Sequence, residues 1–546
     1  MLKTWSGIGR WLGSSASWVA GEAWRRLLRI TPTEMTSWAV VALVWLGLAL
    51  RSRGMWLNRP ISLWGDEAAW AMWLIDLPLK DHVVRSLGFM TVSKGLVTVF
   101  GASERVLRFL PWCAGVGVVL VAPFLAKRLF RSSAAQVLFV AVLALHPSAI
   151  DLSKEFKPYS VALLLHMLLL LFLLRYWQTE QERDLLTGVG LAFFGVLFSQ
   201  DVVFAYPMVF GLLALKAYRS KNREHLITLF VGATLAVGLL LAVLHNVAPK
   251  LGDTKEGAQY WGNKYDVFYA AGAEQGSRLS WTIERLHDLA SMPGNRRDLW
   301  QWSGVSQEAL AALKRVEASV WTCLCAAGLA LMAYQRRFLH LALLLSPLLV
   351  MLGFNYFGFW PLGAFRTNLF SIAYCGGLAA AAFDWQRGET GQLRQLAPAL
   401  LLVALLFVTL GRSNHSRKQS LTAHAAYPQA AKALVALQGR KRRRDALVLD
   451  APSCAPWRYY TNYHPDKERQ KLASRFAPQC SKSFHGMLKA ARRALTTPDA
   501  HVFMLAVGDA QMDGLQNRMP RDLHVVDQKL IGRRDALVMK IERARR

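Results

Sequence analysis

HPSAIDLSKEFKPYSVALLLHMLLLLFLLRYW, residues 146–177, holds two kinds of sequence side by side. From Val161 to Leu174 no Asp, Glu, Lys or Arg occurs. A bilayer core ~30 Å thick needs roughly 18–20 apolar helical residues, so 160–177 reads as a membrane span. Immediately before it, Asp151, Lys154, Glu155, Lys157 and Tyr159 crowd ten residues with charge and hydroxyl. Ionisable groups at membrane depth are costly; they tend to be paired and to mark substrate sites.

The rest of the chain repeats this alternation. Of 546 residues 53% are apolar, and 20 are Trp, too apolar for an ordinary soluble domain. Apolar runs place spans near 37–50, 106–126, 134–150, 160–177, 185–199, 202–217, 225–246, 317–334, 338–354, 367–384 and 395–411, about 11 transmembrane helices. The segment 86–100 is short and carries Lys94, so it reads as re-entrant or interfacial. No cleavable leader pattern is evident in residues 1–35. Their Trp and Arg mixture suits an amphipathic segment on an anionic, cytoplasmic membrane face.

With the N-terminus inside, the connections at 127–131, 175–184, 216–225, 335–337 and 386–394 all carry Lys or Arg. The short opposite connections carry fewer, the bias expected of cytoplasmic loops. The odd span count then puts residues 412–546 outside. That region is strongly basic, which opposes a naive charge rule, but long domains translocate largely regardless of charge. The expected division is therefore 1–35, a transmembrane domain 36–411 with outer loops 51–105 and 247–316, and an outer domain 412–546.

The outer domain alternates strand-like runs with helical patterns: DALVLD (445–450), HVFMLAVG (501–508), LHVVD (523–527) and ALVMKI (536–541). A small α/β domain with a partly parallel sheet is predicted. No glycine-rich phosphate loop follows these runs, and neither a nucleotide site nor a nucleic-acid partner is expected. GRKRRR (439–444) is most simply a solvated turn; gripping anionic lipid or polysaccharide is the sharper reading. Cys454 and Cys480, the only cysteines of this region, are expected to pair, because an outside location is oxidising. The other four lie in or beside apolar segments and read as packing residues.

Polar residues at the outer ends of the spans converge on one side. SLWGDEAAWA (62–71) gives Asp66 and Glu67 among Trp64, Trp70 and Trp73, and Arg85 follows. The loop after the third expected span adds Glu155, Lys157 and Tyr159; SQD adds Asp201; FGFWPLGAFRTNLF (357–370) adds Arg366. Each also has a plain reading. Asp66 could cap a surface helix, Glu155 and Lys157 could form an ordinary ion pair, and Arg366 could snorkel to headgroups. Asp201 could cap the next span, and the Trp residues could be an aromatic belt. The functional case rests on the set.

These segments, with FGASERVLRFLPWCAG (100–115), resemble in type and order the GT-C superfamily of membrane glycosyltransferases. Similarity is greatest to the bacterial branch related to protein O-mannosyltransferases and the lipid A aminoarabinose transferase. It spans about residues 36–411. The acidic pair in the first outer loop is its most specific element. EFKPYS resembles the family's Glu-x-Arg-Pro-Tyr motif, with Lys157 where Arg is usual, keeping the charge but losing the planar fork.

The resemblance implies inverting transfer of a sugar from a polyprenyl-phosphate donor, on the periplasmic or extracellular face of the bacterial inner membrane. The acceptor would be an envelope lipid, glycan or protein. Such a donor leaves as an anionic phosphate, so the site needs cations for the phosphate and one carboxylate to deprotonate the acceptor. The anomeric carbon becomes oxocarbenium-like. Asp66 is then expected as base, with Glu67 orienting the loop or acceptor or pairing with a cation. Lys157, Arg366 and Arg85 are the phosphate ligands expected. Glu155 would orient Lys157, Tyr159 would bond donor or backbone, and Asp201 would help orient substrate. Aromatics of the long loop (Tyr260, Trp261, Tyr265, Tyr269, Trp281) could cover the sugar. No cofactor is required. Asp66, Glu67 and Asp151 offer hard oxygens to a divalent metal, but the neighbouring cations favour metal-free phosphate handling. A lipid-linked saccharide flippase would instead need charges through the full depth of the spans and related halves, which the sequence does not display. A non-catalytic envelope-glycan assembly protein is the third reading.

Overall fold

The computed structural model describes residues 32–57, 62–77, 86–247, 268–269, 277–291, 307–363, 366–385, 403, 430, 433–434, 436–437, 446–465, 478–481, 484–496, 501–507, 519–520, 522–531 and 536–543. Arg85, the run 439–444, most of the loop aromatics and all of the expected span at 395–411 but residue 403 lie outside them.

Among the described residues, six helical segments are long and apolar enough to cross a membrane: Phe109–Leu129, Tyr159–Thr179, Gln200–Arg219, Arg223–Val243, Arg315–Tyr334 and Phe338–Tyr356. Four shorter apolar helices accompany them: Thr36–Ser52, Leu87–Phe100, Ser133–Leu145 and Ser371–Ala381. The helix Ser133–Leu145 is buried on all sides, as an all-apolar helix inside a bundle should be. The helix Arg223–Val247 instead turns Ile227, Phe230, Leu235 and Leu241 outward, a lipid-facing surface. Helices Gln307–Tyr334 and Ser371–Ala381 approach so closely at Gly328 that a Cβ there would lie 1.8 Å from the Leu378 carbonyl oxygen.

Three expectations change. The span predicted over 134–150 breaks at His146, which caps a new turn, Pro147–Leu152, by accepting from Ala149 N at 3.3 Å. Pro147 lacks the N–H that would continue the first helix. The span predicted over 202–217 is a 3-10 segment, Gln200–Ala205, then a π-helical segment, Pro207–Leu212, then an α-helix, Leu213–Arg219. Pro207 removes a donor at the junction. Within the expected outer loop 247–316 lies the helix Arg278–Ala290, and its last ten residues already belong to the helix Gln307–Tyr334. Segment 86–100 forms the helix Leu87–Phe100, ~21 Å long and too short for a ~30 Å core.

The described basic connections gather at one end of the bundle. Lys216 pairs with Glu180, and Tyr176 Oη meets His225 Nδ1 at 2.7 Å. Asp384 accepts from Arg131 N at 2.8 Å and Ser132 N at 2.7 Å, and it pairs with Arg337. Three chain segments are thus clasped by one carboxylate.

The other end carries the sheet. Strands β1 (Ala446–Asp450), β2 (Pro478–Ser481), β3 (Val502–Val507), β4 (Leu523–Ile531) and β5 (Ala536–Arg543) lie in the order β2-β1-β3-β5-β4. β1 is parallel to β2 and β3, while β5 is antiparallel to β3 and β4, as a partly parallel sheet requires. β2 was not expected; at four residues, two of them exposed, it lacks a strand's apolar alternation. Alternation assigns the two faces. Val448, Val502, Met504, Leu537, Met539 and Ile541 pack under the helix Phe484–Ala494 through Met487, Leu488 and Ala491. Leu447, Leu449, Phe503, Leu505 and Val538 point the other way, into one core with Leu63, Ala68, Leu74 and Phe89 of the membrane part. The Cys454–Cys480 disulfide forms, joining the helix Ala451–Asn462 to β2.

Candidate active site

Asp66 and Glu67 open the helix Gly65–Asp76. Successive helical residues point about 100° apart, so neighbouring acids need not share an environment. Here they do not. Glu67 is fully buried. It takes a two-pronged bond from Arg108, Nε at 2.6 Å and Nη2 at 2.5 Å, and accepts from Phe156 N at 2.8 Å. Arg108 is itself buried; burial opposes its charge, but the Glu67 carboxylate holds it more firmly protonated than an ordinary arginine. Glu67 therefore ties the first outer loop to the segment that carries Lys157.

Asp66 keeps about a third of its side-chain surface exposed. Lys157 Nζ lies 2.9 Å and Arg366 Nη2 3.0 Å from it, both at Oδ2. Among the described residues no bond is made to Oδ1. The cations are backed by rings. Lys157 Nζ sits 3.8 Å from the centre of Trp70, and Arg366 Cζ 5.3 Å from Trp64 and 5.8 Å from Tyr159. Trp64 Nε1 donates to Glu155. Burial, reinforced by the charge of Glu67, pushes the Glu155 carboxyl up to about 7. Burial pulls the Lys157 ammonium down to about 8, although Asp66 works in the opposite direction.

Local structure explains the convergence. Pro158 and Tyr159 start the helix Tyr159–Thr179, leaving residues 153–158 as a tight turn above it. Ser153 lies where a Cβ on Gly115 would approach to 2.4 Å, so only glycine lets the turn rest on the helix Phe109–Leu129. Arg366 begins the 3-10 turn Arg366–Asn368. Asn368 Nδ2 donates to the Pro361 and Gly363 carbonyls at 2.9 Å each, and its Oδ1 accepts from Trp360 Nε1 at 2.7 Å.

The structure thus brings together Asp66, Lys157, Arg366, Glu155 and Tyr159 of the residues singled out from sequence. Glu67 sits behind them on Arg108. Asp201 is buried elsewhere, beside Tyr374, whose hydroxyl meets His166 Nδ1 at 2.8 Å. Among the described residues no hydrogen bond or ion pair joins Asp201 to Asp66, Lys157 or Arg366. Nor do three or more His, Cys, Asp or Glu side chains cluster as a metal site there, and Glu67 is turned away from Asp66. Sequence reasoning missed Arg108 as the partner of Glu67. Its signal was present: a cation directly before an apolar helix, where only a buried carboxylate could balance it.

Residues 86–245 match the family model of dolichyl-phosphate-mannose-protein mannosyltransferase. The fold is similar to ArnT from Cupriavidus metallidurans bound to undecaprenyl phosphate: TM-score 0.45, 12% identity, covering 92% of this chain and 98% of that one. The apo state of the same protein gives TM-score 0.47 at 12% identity, with 93% and 98% covered. The apo Archaeoglobus fulgidus oligosaccharyltransferase gives 0.44 at 12% identity, with 86% and 69% covered. No curated protein matches the chain. The family match agrees with the resemblance to GT-C membrane glycosyltransferases carried by the sequence motifs.

Proposed function

We propose that this membrane protein is a GT-C-type inverting glycosyltransferase. It moves a sugar from a polyprenyl-phosphate-linked donor to an envelope acceptor at the outer face of the bacterial inner membrane. The observation that carries the reading is the partly exposed Asp66 carboxylate held at one oxygen between Lys157 and Arg366. Family resemblance and the match at residues 86–245 support the reaction class.

The chemistry follows from that arrangement. The lipid tail keeps the donor in the bilayer, so a site at the ends of the spans meets its phosphate. A phosphate engaging Lys157 and Arg366 competes with Asp66 for both cations and frees the carboxylate. Asp66 then accepts the acceptor's proton as the acceptor oxygen bonds to the anomeric carbon. The bond from that carbon to the phosphate oxygen breaks, its electron pair stays on the phosphate, and the cations stabilise the departing charge. Trp64, Trp70 and Tyr159 hold the cations in place, and Glu155 steadies Trp64. Glu67 positions the loop through Arg108. Arg85 is a further phosphate ligand in this proposal, and Asp201 at most a remote orienting group. No metal takes part in the scheme.

The test is mass spectrometry of envelope glycans and glycolipids from cells with and without the protein. A sugar modification that disappears with the protein is expected. The same loss with the lipid-linked sugar stranded on the cytoplasmic face would instead identify a flippase, and identical envelopes would remove the transferase reading.

A further inference from the structure

The end of the helix Ala451–Asn462 and the two residues after it read YYTNYH, residues 459–464, four polar-tipped rings within six residues. In an independent soluble domain they would face water. Here all four reach the membrane part. Tyr459 Oη donates to the Ala102 carbonyl. Tyr463 Oη donates to Asp76 Oδ2 at 2.5 Å, at the far end of the helix that carries Asp66. His464 Nε2 meets Glu104 Oε2 at 3.0 Å. Tyr460 is 5% exposed, and its hydroxyl also meets the Ser62 side chain. It accepts from Leu63 N at 2.8 Å and donates to Glu104 Oε1 at 3.0 Å.

Leu63 immediately precedes Trp64, the residue that opens the helix Gly65–Asp76. Trp64 contributes no side-chain cap to that helix. Its position is fixed instead by the bond to Glu155 on one side and, through Leu63, by Tyr460 on the other. The disulfide from Cys454 to Cys480 secures the docking helix to the sheet. A buried hydroxyl that accepts from a backbone N–H is a precise tether, because losing it takes the partner of that N–H away.

We propose that Tyr460 is a positioning residue for the active site: the C-terminal domain sets the entry of the helix bearing Asp66 through the Tyr460–Leu63 bond. The inference rests on the reading of Asp66 as the reacting carboxylate only for its consequence in catalysis.

Tyr460→Phe keeps the ring and removes the hydroxyl's bonds to Leu63, Ser62 and Glu104. Hydrogen exchange at residues 62–67 should accelerate in this variant by about 2- to 10-fold, the loss of one buried hydrogen bond. Affinity for a sugar-free polyprenyl phosphate should weaken by up to the same factor, because Asp66, Lys157 and Trp64 lose their common frame. Tyr463→Phe removes a bond between the same two helices at the opposite end, and it should leave exchange at 62–67 unchanged. Unaltered exchange in Tyr460→Phe, or equal acceleration in both variants, would overturn the proposal and reduce the contact to ordinary domain packing. If Asp66→Asn proves fully active while Tyr460→Phe still loosens 62–67, the catalytic reading fails and the tether stands.

Discussion

Two carboxylates in this protein each gather cationic partners at an end of the helical bundle, and they differ in one respect. Asp384 is almost wholly buried. Both its oxygens are engaged, Oδ1 by two backbone N–H groups and Oδ2 by Arg337. Asp66 is a third exposed and gives both cations a single oxygen. The first arrangement is saturated and closes three segments into one end of the fold. Among the described residues the second leaves Oδ1 without a bond beside two cations, an arrangement that an anionic substrate can rearrange. A charged cluster at membrane depth therefore signals chemistry when it remains unsaturated, and fold when it does not.

Substitutions at the two carboxylates should separate these roles. Asp66→Asn is expected to lower transfer about 10²- to 10⁴-fold with little change in melting temperature, the loss of a general base. Asp384→Asn should do the reverse, costing on the order of 3–5 kcal/mol of stability by leaving Arg337 buried without its counter-charge. Equal stability losses in both would erase the distinction. Glu67→Gln sharpens it from within the acidic pair. It should behave like Asp384→Asn, falling in stability by about 3 kcal/mol, because Arg108 keeps its charge and loses its partner; thermal unfolding in detergent reads this directly.

Much of this contrast was legible in sequence. Most of the described spans, the gathering of the described basic loops, the partly parallel sheet and the Cys454–Cys480 pair follow from apolar run length, charge placement and strand alternation. So does the meeting of Asp66 with Lys157 and Arg366, because all three sit at span ends on one side. The division of labour between Asp66 and Glu67 was not legible. It depends on which way a helix is rotated, and that is set by Arg108 and by Phe156 N, 41 and 89 residues away. Asp201 carries the same lesson. It lies at a span end like the others, yet it is buried and, among the described residues, makes no bond to Asp66, Lys157 or Arg366.

Smaller effects refine the outer cluster. Lys157→Ala and Arg366→Ala should each weaken polyprenyl-phosphate binding by roughly 10-fold or more, the range of a charge-assisted hydrogen bond. Unchanged titrations in both variants would move the phosphate elsewhere. Because burial lowers Lys157 to about 8, phosphate affinity in the wild type should begin to fall as the pH rises through about 8. It is fully present below that value, where the ammonium is charged. Lys157→Arg should remove this step, and a step that persists in the variant would assign it to another group. Removing the disulfide with Cys454→Ala should cost ~3 kcal/mol of outer-domain stability, the chain-entropy expectation for a loop of this size; melting under non-reducing conditions checks it.

The most direct measurement compares polyprenyl-phosphate affinity in wild type and in Asp66→Asn. If the carboxylate competes with phosphate for Lys157 and Arg366, the asparagine variant binds at least as tightly as wild type while its transfer is lost. If Asp66→Asn instead loses the phosphate, or binds it normally and still transfers sugar, then Asp66 is not the base that the departing phosphate releases, and the account of this site is wrong.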